Sequence, residues 1–190
     1  MANLTFYYAA MNTGKSASLL QYAHGFRENN QKVMLFTTRL DNRFGKKKII
    51  SRIGLEKEAV CYGDDFNFKT YMEDHRDAKG VFVDEAQFLT KEHVEQLAHI
   101  VDIFDIDVYC YGLRSDFQGE PFSGSLHLLV WADRLLEIPG VCFCGDPCSM
   151  HLRVIGEKVT KEGPQILIGG SERHHSVCRK HFFLEEITTE

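Results

Sequence analysis

A segment near the start of the chain leaves few folds open. Leu4-Thr5-Phe6-Tyr7-Tyr8 is a short aromatic run suited to a buried strand, and it leads through Ala9-Ala10-Met11-Asn12-Thr13-Gly14-Lys15-Ser16 into residues 15–24. In that last stretch Ala17, Leu19, Leu20 and Ala23 recur at helical spacing. The octapeptide matches the Walker A pattern except at its first position, where Ala9 replaces glycine. Gly14 lets backbone N–H groups approach a phosphate, whose charge is favoured at the N-terminus of the following helix. Lys15 brings a cation to the β- and γ-phosphates, and the Ser16 hydroxyl is a ligand for Mg²⁺. A Gly-Lys-Ser tripeptide on a surface helix would mean little. Its position between a hydrophobic strand and an amphipathic helix carries the assignment. Alanine at position 9 is small but tolerates a positive φ poorly.

Further strands are expected at residues 32–37, 81–83, 107–112 and 131–138. Between them, Thr90 is an N-cap candidate ahead of Val94, Leu97, Ala98 and Val101, which mark one helix face. Strands separated by helices imply a parallel sheet with right-handed crossovers. Residues 38–54 hold Arg39, Asp41, Arg43 and Lys46-Lys47-Lys48 without periodicity, and are expected to form a mobile loop. Pro139-Gly140 marks a change of composition, dividing residues 1–138, a nucleotide-binding α/β domain, from a smaller module at 139–190. Within the module, strands near 152–159 and 165–168 are expected to be joined by Thr160-Lys161-Glu162-Gly163-Pro164, a hairpin loop by composition.

The apolar run at 81–83 ends in Asp84-Glu85. Parallel strands deliver their C-terminal ends to the same edge as the phosphate loop, so Asp84 is placed to meet Mg²⁺ there. Successive side chains diverge at a strand end, which lets Glu85 face another atom. That atom is either an acceptor hydroxyl or an attacking water, with Glu85 as the general base. The first choice makes the chain a kinase, the second an ATPase. The residues alone do not separate the two.

Six cysteines would suggest disulfides in a secreted chain, but Met1-Ala2-Asn3-Leu4 shows no signal sequence and no apolar run approaches a membrane span. Both absences favour the cytoplasm, where cysteines grouped at 142–148 with a distant Cys178 read as metal ligands. Cys142 and Cys144 share a face of an extended segment, and Cys178 and His181 have the spacing of a tight knuckle. Three thiolates and one imidazole form a closed set, the signature of structural zinc. Cys148, His174 and His175 compete for the same role. A formal charge of −5 argues against a surface for long nucleic acid, and with it against a non-enzymatic zinc-ribbon module that binds nucleic acid.

With these pieces in order, the chain resembles the type II thymidine kinases, the small zinc-containing family. The resemblance is collinear through nearly the whole chain. It runs through Tyr8 to Ser16, Asp84-Glu85-Ala86-Gln87-Phe88, Tyr111-Gly112-Leu113-Arg114-Ser115-Asp116-Phe117, the paired cysteines, and Ile168-Gly169-Gly170 onward to Ser176-Val177-Cys178-Arg179. It implies a RecA-like parallel sheet with a zinc-stapled lasso module, and ATP-dependent phosphorylation of the 5′-hydroxyl of thymidine. On that likeness ATP is bound by residues 9–16 with Asp84, Glu85, Ala86 and Gln87, and Mg²⁺ by Ser16 and Asp84. Glu85 is the general base. Met11, Phe88, Leu113, Phe117 and Phe122 would line the base pocket. A lasso loop at 156–174 would close over it, with Leu167, Gly169, Gly170 and His174 nearest the nucleoside. Cys142, Cys144, Cys178 and His181 would hold zinc. The likeness also implies a homotetramer inhibited by dTTP. The chain departs from the family at Ala9, at His174 where tyrosine is usual, in a first cysteine pair one residue shorter, and at His181 where many members have cysteine.

Overall fold

A computed structural model describes residues 1–40, 47–166 and 172–188. In chain order its elements are β1 (Leu4–Ala9), α1 (Lys15–Glu28), β2 (Val33–Thr38), β3 (Lys48–Ile50), β4 (Glu56–Glu58), β5 (Val60–Tyr62), α2 (Phe68–Glu73), β6 (Gly80–Val83), α3 (Lys91–Phe104) and β7 (Asp107–Leu113). These are followed by α4 (Ser123–Trp131), β8 (Arg134–Glu137), β9 (Met150–Ile155), β10 (Lys158–Thr160), β11 (Glu172–Val177) and α5 (Arg179–Leu184). Six strands form one parallel sheet in the order β5-β2-β6-β7-β1-β8.

Side-chain alternation along the central strands divides the core in two. Val81 and Val83 of β6, with Val108 and Cys110 of β7, point to the face covered by α2, α3 and α4. Phe82, Tyr109 and Tyr111 point the other way and bury Leu19, Leu20 and Ala23 of α1. Every residue of β6 is buried, as a strand covered on both faces requires. Helix α3 begins where Thr90 accepts from the His93 N–H, while the His93 ring accepts from the Thr90 N–H, a reciprocal cap.

The expected strands at 32–37, 81–83 and 107–112 form within a residue of those limits. The stretch 131–138 holds a strand as expected, β8. Two expectations change. The stretch 38–54 is not wholly loop: β3 pairs antiparallel with β4, and Ile49 is buried at 1% exposure. In the second half of the chain β9 is central, pairing antiparallel with β10 and with β11. The hairpin turn lies at Gly156-Glu157, where Gly156 takes φ 65°, instead of at Thr160–Pro164. The expected strand near 165–168 lies partly outside the described residues, and Gln165 and Ile166 are not in a strand.

A third cluster joins the three-stranded sheet to the loop after β1. Cys142, Cys148, Leu152, Val177, Cys178 and Phe182 pack together with Ala10 of the phosphate loop.

Candidate active site

The C-terminal ends of β1, β6 and β7 meet at one edge of the sheet, and each contributes to the site. After β1 the chain turns through Asn12 (φ 62°) and Gly14 (φ 82°) into α1. The left-handed positions therefore fall on Asn12 and Gly14, and only at Gly14 does the motif supply glycine. Ala9 is the last residue of β1, buried and extended, so the missing first glycine imposes no strain there. The loop is braced from within. Thr13 Oγ1 and Lys15 Nζ donate to the Ala10 carbonyl at 3.1 and 2.8 Å.

It is also braced by β11. Ser176 Oγ donates to the Met11 carbonyl, and Asn12 Nδ2 donates to the His174 carbonyl at 2.9 Å. Gly140 lies so close to the loop that a side chain there would meet Thr13 Cγ2 at 2.5 Å and Cys148 Sγ at 2.4 Å.

Asp84 and Glu85 follow β6. Asp84 is 4% exposed, and its Oδ1 is a buried oxygen without a hydrogen-bond partner. Burial, then the neighbouring Glu85 charge, pushes its carboxyl up to about 7, against a lowering by the Ser16 hydroxyl and Lys15. A buried carboxylate with an orphaned oxygen beside a serine hydroxyl fits a hard divalent cation. Glu85 turns into the left-handed region at φ 53°. Tyr62 holds that turn, its hydroxyl donating to the carbonyls of Glu85 at 2.9 Å and Asp84 at 3.3 Å. The Glu85 carboxylate accepts from Gln87 Nε2.

A cleft of about 200 Å³ opens between these groups and the β3–β4 hairpin. Lys15, Ser16, Asp84 and Glu85 line one side, Ser51 and Arg52 the other. The hairpin's part in the site was invisible in the sequence, where a basic run without periodicity masked a three-residue strand.

Of the expected base-pocket residues, Leu113, Phe117 and Phe122 are buried and Phe88 and Met11 partly so. Phe88 and Phe122 meet edge to face at 5.8 Å. The Arg153 guanidinium lies 3.6 Å over Phe117 and donates to the carbonyls of Pro164 (2.8 Å) and Gln165 (3.1 Å). Gln165 in turn donates to Asp116 Oδ2 at 2.9 Å. Of these five residues, Met11 alone lines the 200 Å³ cleft. Leu167, Gly169 and Gly170, like Arg43, lie outside the described residues. Ala86 and Gln87 are buried behind Glu85. Sequence reasoning missed His151, which is buried against His174 with ring centroids 5.5 Å apart. Burial first, then the charges of His174, Lys15 and Arg153, push its imidazole down to about 3.

Cys142, Cys144, Cys178 and His181 bring their ligand atoms within 4.8 Å of one another. Three of the edges measure 3.5 Å (Cys142 to His181 Nδ1), 3.2 Å (Cys178 to His181 Nδ1) and 3.9 Å (Cys144 to Cys178). A tetrahedron with Zn–S bonds of about 2.3 Å has edges of about 3.8 Å, so the donor set fits zinc. Cys148, His174 and His175 stand outside the cluster.

A parallel sheet with a phosphate loop after β1 and a carboxylate pair after β6 defines a nucleotide-binding α/β enzyme, here with a Cys₃His module against its loop. The family model described as thymidine kinase matches residues 2–182. A thymidine kinase of Shewanella oneidensis is 50% identical over 188 residues, covering 96% of this chain and 97% of that one. Those of Photobacterium profundum (48% over 189 residues; 96% and 97% covered) and Salmonella typhimurium (46% over 190 residues; 96% and 91% covered) are similar throughout. Among solved structures, the Pif1 helicase from Candida albicans gives a TM-score of 0.44 at 13% identity, covering 73% of this chain and 36% of that one. The chain belongs to the thymidine kinase family.

Proposed function

We propose that the chain transfers the γ-phosphate of ATP to the 5′-hydroxyl of thymidine, and of deoxyuridine, giving dTMP from thymidine in pyrimidine deoxynucleoside salvage for DNA synthesis. The observation that carries this reading is the placement of Glu85 beside Asp84 on one cleft with Lys15 and Ser16. Glu85 takes the proton of the 5′-hydroxyl as its oxygen bonds to the γ-phosphorus and the bond to the β-bridging oxygen breaks, releasing ADP. Lys15 and the loop amides of residues 9–16 offset charge on the transferring group. Ser16 and Asp84 would hold Mg²⁺, which supplies further charge neutralisation at the phosphate oxygens when bound.

Residues 1–138 form the ATP-binding domain and 139–190 the module that closes the nucleoside site. Arg153 supports the closing role, because it ties residues 164 and 165 of the module to the Phe117 ring of the first domain. His174, with Leu167, Gly169 and Gly170, would contact the nucleoside, and Met11, Phe88, Leu113, Phe117 and Phe122 its base. The four-residue cluster would hold a structural zinc. The assembly is a homotetramer. Leu135 and Leu136 of edge strand β8, and Leu126, Val130 and Trp131 of α4, are exposed apolar groups that a second copy would cover. dTTP, which joins thymine to a triphosphate, is the feedback inhibitor. The setting is the cytoplasm; among the described residues no helix is long and apolar enough to cross a membrane.

A nucleoside panel with labelled ATP tests the reading on the wild type and Glu85→Gln. Thymidine-dependent transfer that collapses in the variant, with ATP binding retained, is the expected result. ATP hydrolysis indifferent to nucleoside would overturn it.

A further inference from the structure

The side chain of Gln87 is 2% exposed, in the single helical turn Ala86–Phe88 behind Glu85. Its carboxamide is engaged at both ends. Oε1 accepts from the Leu113 backbone N–H at 3.1 Å, and Nε2 donates to Glu85 Oε2 at 2.5 Å. The two partners fix the orientation of the amide. A backbone N–H must face oxygen and a carboxylate must face the NH₂, so the reversed amide would oppose like groups at both ends. Gly112 makes room for the arrangement, since a Cβ there would lie 2.9 Å from the backbone nitrogen of Gln87 and 3.0 Å from its Oε1. Tyr62 holds the backbone of Glu85 in its left-handed turn while Gln87 holds the carboxylate. Asp84 and Glu85 line the cleft, and Gln87 does not.

We infer that Gln87 is a positioning residue for the general base and not a ligand of ATP: it transmits the position of the β7 backbone to the Glu85 carboxylate. The inference rests on the reading of Glu85 as base. Loss of this bond removes one of the holds on the carboxylate, and a displacement of about 1 Å at a reacting group costs on the order of 100-fold in rate.

The test is a double-mutant cycle read by kcat alongside equilibrium ATP affinity. Gln87→Leu removes both bonds. Gln87→Met removes both bonds while keeping the unbranched shape, should the leucine variant fail to fold. Both are expected to lower kcat by about 10- to 100-fold while the dissociation constant for ATP moves less than about 3-fold. In a Glu85→Gln background the same substitutions are expected to change the residual kcat by less than about 2-fold, because the group that Gln87 positions is gone. Equal losses in both backgrounds would overturn the positioning role. So would an ATP affinity that falls in step with kcat, the mark of a direct ligand. Full turnover by Glu85→Gln alone would instead overturn the base assignment beneath it.

Discussion

Ser176, in the strand that leads out of residues 156–174, donates its hydroxyl to the carbonyl of Met11 in the phosphate loop. Two residues earlier in the same strand, the His174 carbonyl accepts from Asn12 at 2.9 Å. The phosphate loop is thus held from outside by β11, and any movement of that strand reaches the loop through two hydrogen bonds. Ser176→Ala leaves the Met11 carbonyl without this donor, a loss of about 1 kcal/mol. The KM for ATP is expected to rise about 5-fold and that for thymidine to change less; steady-state kinetics with each substrate varied would show it. An unchanged ATP KM would mean that the loop needs no outside support.

Loss of the Cys₃His donor set should be felt at the same place. Cys142 and Cys178 pack in one apolar group with Ala10, so the staple and the phosphate loop share a core. The three short strands β9, β10 and β11 have few other means of holding their geometry, and structural metal binding is folding free energy in such modules. His181→Ala is expected to lower zinc from about one per chain by elemental analysis. It should also cost at least about 3 kcal/mol, which for a chain of this size is a Tm lower by roughly 6–12 °C. Weaker ATP binding should accompany the melting shift, measured by titration of the same preparation. Metal-free protein with an unchanged Tm would count against the staple.

What could be read from the sequence follows the range of the interactions. The loop from Ala9 to Ser16 and the strands at 81–83 and 107–112 depend on local pattern, and the structure reproduces them. Cys142 with Cys144 and Cys178 with His181 paired by local spacing, but Cys148, His174 and His175 stayed in competition until the structure set them outside the cluster. The misplaced hairpin shows the limit: Thr160–Pro164 has turn composition, yet Gly156 at φ 65° makes the turn. Long-range partnerships left no mark. Nothing near Gln87 announces Leu113, nothing near Ser176 announces Met11, and His151 gives no hint of its burial beside Lys15. Strand β3 was hidden because three residues cannot display a period.

Arg153 ties residues 164 and 165 to the Phe117 ring. Arg153 is 2% exposed, and its guanidinium stacks on Phe117 and donates to two carbonyls at 164 and 165. Hydrogen bonds from a charged donor contribute about 1.5–3 kcal/mol each, more than a neutral pair. Arg153→Met keeps most of the bulk and loses both bonds. The thymidine KM is expected to rise on the order of 10-fold or more, with the ATP KM within about 3-fold. Lysine should not rescue the site, because one ammonium cannot reproduce the planar fork across two carbonyls. Rescue by lysine would reduce Arg153 to a point charge.

His151 makes stability depend on pH. In the folded chain its pKa is about 3, displaced from 6.5 by burial and then by the charges of His174, Lys15 and Arg153. Between those two values the unfolded chain carries a proton on His151 that the folded chain does not. The number bound in the unfolded state exceeds that in the native state, so stability rises with pH across this window. The contribution is complete above about 6.5 and is lost progressively as pH falls toward 3, amounting to a few kcal/mol. His151→Gln removes the titration at similar volume. The difference in Tm between variant and wild type should therefore move in favour of the variant as the pH is lowered from 7 to 4.5, whatever the carboxylates do in both proteins. A constant difference would place the imidazole in contact with water. A difference that moves toward the variant would show that burial keeps the His151 ring neutral in the folded chain.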